Sequence, residues 1–138
     1  MADFNQQSFE EKVQQQLNTS DTTSQFDPRD IEQNKLMAIL AYLGILVIIP
    51  ILAAKDSKFA RFHSNQGLIL LIASIAFYII YSILSSIIFA ISWKLGFLVS
   101  IIGLVGIVFF VLMIIGIVNA AGGKAKELPL FGKYRILK

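Results

Sequence analysis

The chain of 138 residues has no cysteine, a single histidine and only three prolines. Disulfides, thiolate nucleophiles and cysteine-based metal sites are therefore excluded. Between Leu36 and Ala121 the only carboxylate or imidazole groups are Asp56 and His63. Acid–base and metal chemistry needs two or more such groups converging, and the apolar runs offer none. No apolar run contains a carboxylate, lysine or arginine, the usual mark of an ion or proton path through a membrane. Phosphate loops and nucleophile–base pairs are also absent. The sequence therefore predicts a protein that is not an enzyme and that holds no cofactor and no metal.

What is present is apolar length. The hydrophobic fraction is 56% and the mean hydropathy +0.70, more than a small globule can hide given its surface-to-volume ratio. Apolar runs of about 18 residues or more suit membrane crossing. Three are present, at 36–53, 67–93 and 97–121. The fold class expected is thus an all-α integral membrane protein with three transmembrane helices. The second and third form a tight hairpin across "KLG" (Lys94–Gly96), and Pro50 falls near the far end of the first. Asp27 and Pro28 write a helix start, and Gly122–Gly123 write a helix end. Residues 1–26, rich in Gln, Ser, Thr and Asp, are expected to be a disordered tail, with Phe4, Phe9 and Val13 as its only docking groups. Residues 27–138 then form the membrane domain. Because the first apolar run follows a long polar leader, it reads as a retained span rather than a cleaved signal.

The polar island "KDSKFARFHSNQG" (Lys55–Gly67) and the tail "KAKELPLFGKYRILK" (Lys124–Lys138) interleave basic and aromatic or aliphatic residues. That pattern suits interfacial amphipathic segments, at 55–66 and 124–138. Lys55, Lys58, Phe59, Arg61, Phe62 and His63 are the candidate contacts for anionic lipid head groups or a protein partner. Ser64 or Asn65 would cap the second span. The net charge of +3 sits beside apolar runs rather than on a soluble patch, which favours lipid and argues against nucleic acid. His63 reads as a polar anchor, with pH sensing as the sharper alternative.

Within the spans, Ser74, Tyr78, Tyr81, Ser82 and Ser85 fall on one stripe, faced by the small residues Gly103, Gly106 and Gly116 and by Asn119. Such positions serve helix packing within one protomer or a homo-oligomer; a hydrophilic path through an oligomer is the sharper alternative. Counting Lys and Arg by side for three spans places eight with the loop and C-terminus and four with the N-terminal tail. The positive-inside rule then puts the loop and C-terminus in the cytoplasm and the N-terminal tail outside.

The run from Asp30 through "LMAILAYLG", "RFHSNQG" and "LPLFGKYRI" resembles a family of small bacterial membrane proteins without a settled function, distantly similar to a chloroplast inner-envelope protein-import (Tic) component. The resemblance covers about residues 30–138. It implies a multi-pass protein of the bacterial cytoplasmic membrane with a protein-translocation or transport-related role. A lipid-interacting structural or envelope-stress protein is the alternative. In either case, the expected partners are lipids and a second copy or another membrane protein.

Overall fold

A computed structural model describes residues 6–11 and 21–137. Residues 6–11 are helical, with Phe9 exposed; Phe4 and Val13 lie outside the described residues. The rest is built from helices α1 (Pro28–Leu40), α2 (Ile48–Ala53), α3 (Lys58–Ile91), α4 (Gly96–Gly103) and α5 (Val105–Ala121). Among the described residues there is no sheet, only an isolated antiparallel bridge between Asp21 and Lys126.

Two helical stretches are long and apolar enough to cross a membrane, Lys58–Ile91 and Trp93–Ala121, with mean hydropathies of 2.4 and 3.2 over their best windows. Only 17% and 11% of those windows is buried inside the protein. The buried central helix of a soluble fold would show the reverse. Their partners are intimate and antiparallel: Tyr81 packs on Gly103 and Tyr78 on Gly106. At the far tip, Ser92 ends α3, accepts from the Lys94 N–H, and opens a single 3-10 turn, Trp93–Leu95. Leu104 separates α4 from α5, so the second limb is helical in two pieces.

The first apolar run departs from the three-span expectation. Its helix stops at Leu40. Ala41–Leu43 turn, Gly44 takes φ +64, Gly44–Val47 form a 3-10 turn, and α2 follows. A positive φ costs a glycine little and ends regular helix. The apolar stretch after the break, Gly44–Ala53, reaches only about 15 Å at 1.5 Å per residue, half a hydrocarbon core. Pro50, expected to distort the end of a span, instead occupies the first turn of α2, where no intrahelical N–H bond is lost.

The path of this segment follows from its contacts. Asp30 accepts from the Phe59 N–H, while the Ala41 carbonyl lies against Gly67, so α1 runs parallel to the start of α3. Ile31 and Lys35 meet Gly123 and Tyr42 meets Gly116, so α1 is antiparallel to α5. From Tyr42 the chain returns through α2 to Ser57, which caps α3 by accepting from the Ala60 N–H. The expected cap at Ser64 or Asn65 is thus replaced by Ser57, and most of the 55–66 connector is helix continuous with the span. The segment 28–57 enters and leaves on the same side.

Residues 21–26, allotted by the sequence to the tail, pack on that same end. Thr22 N–H and Oγ1 both donate to the Ala125 carbonyl at 3.0 Å, and Thr23 Oγ1 accepts from the Ala125 N–H at 2.9 Å. Phe26 packs edge-on against Phe59 and Phe62. The segment before α1 and the C-terminal segment therefore lie together, whereas three spans would place them at opposite ends.

Candidate functional site: a polar clamp at the mouth of the hairpin

The first nine residues of α3 precede its apolar stretch, and this is where most of the buried polar groups are found. His63, Ser64, Asn65 and Gln66 are all buried. Four consecutive positions on a helix cover every face, so burial of all four requires neighbours all round. α1 and Tyr42 lie on one side, α5 on another, and the extended C-terminal segment closes the rest.

His63 joins three elements. Nε2 lies 2.9 Å from the Lys124 carbonyl and Nδ1 lies 2.6 Å from the Tyr42 hydroxyl. A carbonyl only accepts, so Nε2 carries the hydrogen and Nδ1 accepts from Tyr42. One neutral tautomer satisfies both contacts. The ring also sits edge-on to Phe59, Phe62 and Tyr42. Burial lowers its pKa to about 4, opposed by the hydrogen bond to Lys124. The imidazole is thus a neutral crosspiece.

Asn65 and Gln66 read backbone. Gln66 Oε1 accepts from the Leu128 N–H and its Nε2 donates to the Gly132 carbonyl, both at 3.0 Å. Asn65 Nδ2 donates to the Tyr134 carbonyl at 2.8 Å, and its Oδ1 accepts from the N–H groups of Ile136 and Leu137. The segment they hold, Leu128–Leu137, is neither helix nor strand. Non-helical backbone near the hydrocarbon boundary must have its polar groups satisfied by protein; the two amides do that. The strap is pinned further by Phe131 stacking on Phe109, and by Arg135, which donates to the Gly132 carbonyl, pairs with Glu127 at 2.9 Å and lies over the Phe62 ring. Ser64 Oγ is buried without a hydrogen-bond partner among the described residues.

The remaining residues singled out from the sequence are dispersed. Lys55 and Lys58 are exposed, Phe59 is buried in the aromatic cluster, and Phe62 is half-buried beneath Arg135. Arg61 is half-buried on α3. Ser74 and Ser85 bond back to the carbonyls of Leu70 and Tyr81. Tyr78 and Tyr81 rest on Gly106 and Gly103, Ser82 is exposed, and Gly116 takes the Tyr42 ring. Asn119 lies in the last turn of α5, its carbonyl accepting from the Lys124 N–H. Within the stripe Tyr78 and Ser82 are exposed, and the Ser74 and Ser85 hydroxyls bond within α3 itself. Asn65, Gln66, Tyr42 and Lys124 carry the clamp but were not singled out as a site; the available signal was two amide side chains preceding a long apolar run. Among the described residues no group of three or more His, Cys, Asp or Glu side chains comes together to hold a metal ion.

Comparison with known proteins places the chain in a family whose match spans the clamp residues. The magnetosome magnetite crystal formation protein family matches residues 33–136, from α1 to the end of the strap. Magnetosome protein MamF of Paramagnetospirillum magneticum is 51% identical over 35 residues, 25% of this chain and 32% of that protein. MamF of Magnetospirillum gryphiswaldense is 48% identical over 40 residues, 29% of this chain and 36% of that protein. Magnetosome protein MmsF of P. magneticum is 43% identical over 35 residues, 25% of this chain and 33% of that protein. These alignments span about a third of the curated relatives' length. No solved structure matches. The resemblance to a Tic-like family of unsettled function is thereby overturned, and with it the translocation or transport role and the envelope-stress alternative. Because the match runs through three-quarters of the chain and takes in both halves of the clamp, the protein belongs to the magnetosome magnetite crystal formation family.

Proposed function

We propose that the chain is a membrane-embedded, non-enzymatic component of magnetite crystal formation, acting as a scaffold on the membrane that encloses the mineral. The observation that carries this reading is the coincidence of the family match, 33–136, with the folded unit formed by α1, the hairpin and the clamped strap. Buried His63, Asn65 and Gln66 bond to the unit's own backbone, which suits a rigid scaffold rather than a catalytic cleft. The same reading assigns the protein two crossings and one re-entrant segment, Gly44–Ala53.

The two-crossing arrangement also revises the orientation. With α1, the connector and the strap on one side, Arg29, Lys35, Lys55, Lys58, Arg61, Lys124, Lys126, Lys133 and Arg135 share it, and of the described basic residues Lys94 alone marks the far tip. That asymmetry supports a cytoplasmic clamp and a hairpin tip projecting through the membrane. Anionic lipids and a second copy of the chain are the proposed partners. The latter is supported by the exposed face of α3 around Ser82, where small polar side chains serve helix contacts.

The test is replacement. In a magnetotactic bacterium lacking its MamF and MmsF relatives, this chain is expected to shift crystal diameters, read by electron microscopy, back toward those of the parent. Crystals that stay unchanged while the tagged chain is present in the isolated magnetosome membrane would overturn the proposal.

A further inference from the structure

Leu130 is the one non-glycine residue among those described with a positive φ, +73. It follows Pro129 in a turn whose flanks are held by Gln66, which accepts from the Leu128 N–H and donates to the Gly132 carbonyl. The Phe131 N–H donates to the Pro129 carbonyl at 2.9 Å, so Leu130 is the central residue of a γ-turn with positive φ, the rare and strained form. A leucine there is strained, and such strain persists only where the surroundings over-determine it and clusters at functional positions. Nothing inside the protein rewards it: Leu130 is 56% exposed. Tyr134 and Ile136, further along the strap, are exposed as well.

The depth of this turn identifies what covers it. Gln66 lies immediately before the apolar part of α3, and Phe131 reaches down to stack on Phe109 of α5. The turn therefore sits where the two crossing helices leave the hydrocarbon. Within the turn, Leu130 is the exposed side chain. Lys133, three residues on, is exposed and makes no ion pair among the described residues. Lys124 and Lys126, on the other limb, stand near Asp21. An apolar side chain beside an unneutralised cation at the head-group level suits an anionic leaflet.

We propose that the Leu128–Phe131 turn is a lipid-docking wedge: Leu130 enters the acyl layer beside the hairpin, and Lys133 takes the phosphate of an anionic phospholipid. The strap thereby ties the rigid clamp to the lipid composition of the leaflet around it. The inference rests on the membrane placement above, and the experiment separates the two.

Because the chain lacks cysteine, a thiol-reactive environment-sensitive fluorophore can be placed at single positions. Leu130→Cys, Ile83→Cys in the crossing part of α3, and Gln33→Cys on the exposed face of α1 are reconstituted in phosphatidylcholine vesicles. Lipids brominated near the head group and either zwitterionic or phosphatidylglycerol are then added. The label at 130 is expected to be quenched by brominated lipid and shielded from aqueous iodide, with about five-fold stronger lipid quenching for the anionic bromolipid. Lys133→Gln in the Leu130→Cys background removes most of that preference. A label at 130 quenched by iodide and not by lipid, while the label at 83 is quenched by lipid, overturns the wedge. Equal quenching by both lipids overturns the anionic preference. A label at 83 that brominated lipid does not reach overturns the membrane placement instead.

Discussion

The Tyr42 hydroxyl donates to Nδ1 of His63 across 2.6 Å, joining the turn after α1 to the head of α3, while the other ring nitrogen of His63 holds the Lys124 carbonyl just after α5. One imidazole therefore links three segments that the sequence separates widely. Tyr42→Phe leaves a buried ring nitrogen without its donor. It is expected to lower stability by about 1–3 kcal/mol, measured by chemical unfolding in detergent, with little change in helix content.

The same ring gives a pH dependence. The folded state holds His63 neutral down to about pH 4, whereas the unfolded chain takes up its proton near 6.5. In that window the unfolded state binds more protons, so stability falls as pH falls and is flat above about 7. The loss is on the order of 3 kcal/mol at the acid end. In His63→Gln the slope of unfolding free energy between pH 6.5 and 4 should flatten; an unchanged slope would assign the effect to another group.

Gln66 and Asn65 hold the strap by side chain alone. Gln66→Leu strands the Leu128 N–H and leaves the Gly132 carbonyl to Arg135 alone, and is expected to cost about 1–3 kcal/mol locally. Hydrogen exchange at residues 128–137 should accelerate while exchange in α5 stays slow. Gln66→Glu keeps the acceptor but loses the donor, so the Leu128 N–H should stay protected while the Gly132 carbonyl relies on Arg135 alone.

Two glycines are set by close approach. A Cβ at Gly67 would stand 1.8 Å from the Ala41 carbonyl oxygen, and one at Gly116 would stand 2.3 Å from the Tyr42 ring. Gly67→Ala meets backbone and is expected to cost at least about 3 kcal/mol, the upper range for overpacking. At Gly106 the nearest atom to an added Cβ is the Tyr78 hydroxyl at 3.1 Å, a side chain able to shift, so Gly106→Ala should cost under about 1 kcal/mol. Thermal unfolding of the two variants checks the order.

Leu130→Gly should raise stability by about 0.5–1 kcal/mol by relieving the left-handed strain, measured in detergent where no bilayer rewards the leucine. A loss of stability there would show that Leu130 packs within the protein.

Topology is checked by labelling. With single cysteines at Gln33, Lys133 and Lys94, a membrane-impermeant reagent added to sealed inverted vesicles should modify the first two together and spare the third. Modification of Gln33→Cys from the opposite side to Lys133→Cys would restore the three-span arrangement.

Much of this architecture was legible in the chain. The runs at 67–93 and 97–121 needed only local hydropathy, since a crossing helix satisfies its own backbone and asks nothing of its neighbours. The start at Asp27–Pro28 and the tight tip at Lys94–Gly96 were equally local. The first run was not, because its apolar content fits a span as well as a re-entrant segment. The choice rests on Gly44 leaving the helix and on α1 docking between α3 and α5 through Gly67 and Gly116. That single break also moved the N-terminal segment to the side of the strap.

The clamp divides along the same line. "RFHSNQG" and "LPLFGKYRI" stand out as polar and turn-rich motifs, and composition alone predicts an interfacial position for both. That they bind one another was decided only in three dimensions, because amide side chains reading backbone groups some 60 to 70 residues away leave no periodicity in the chain. Local hydropathy is a property of each segment by itself. The fold-back, the shared side and the clamp are properties of pairs of segments, and tertiary packing chose them.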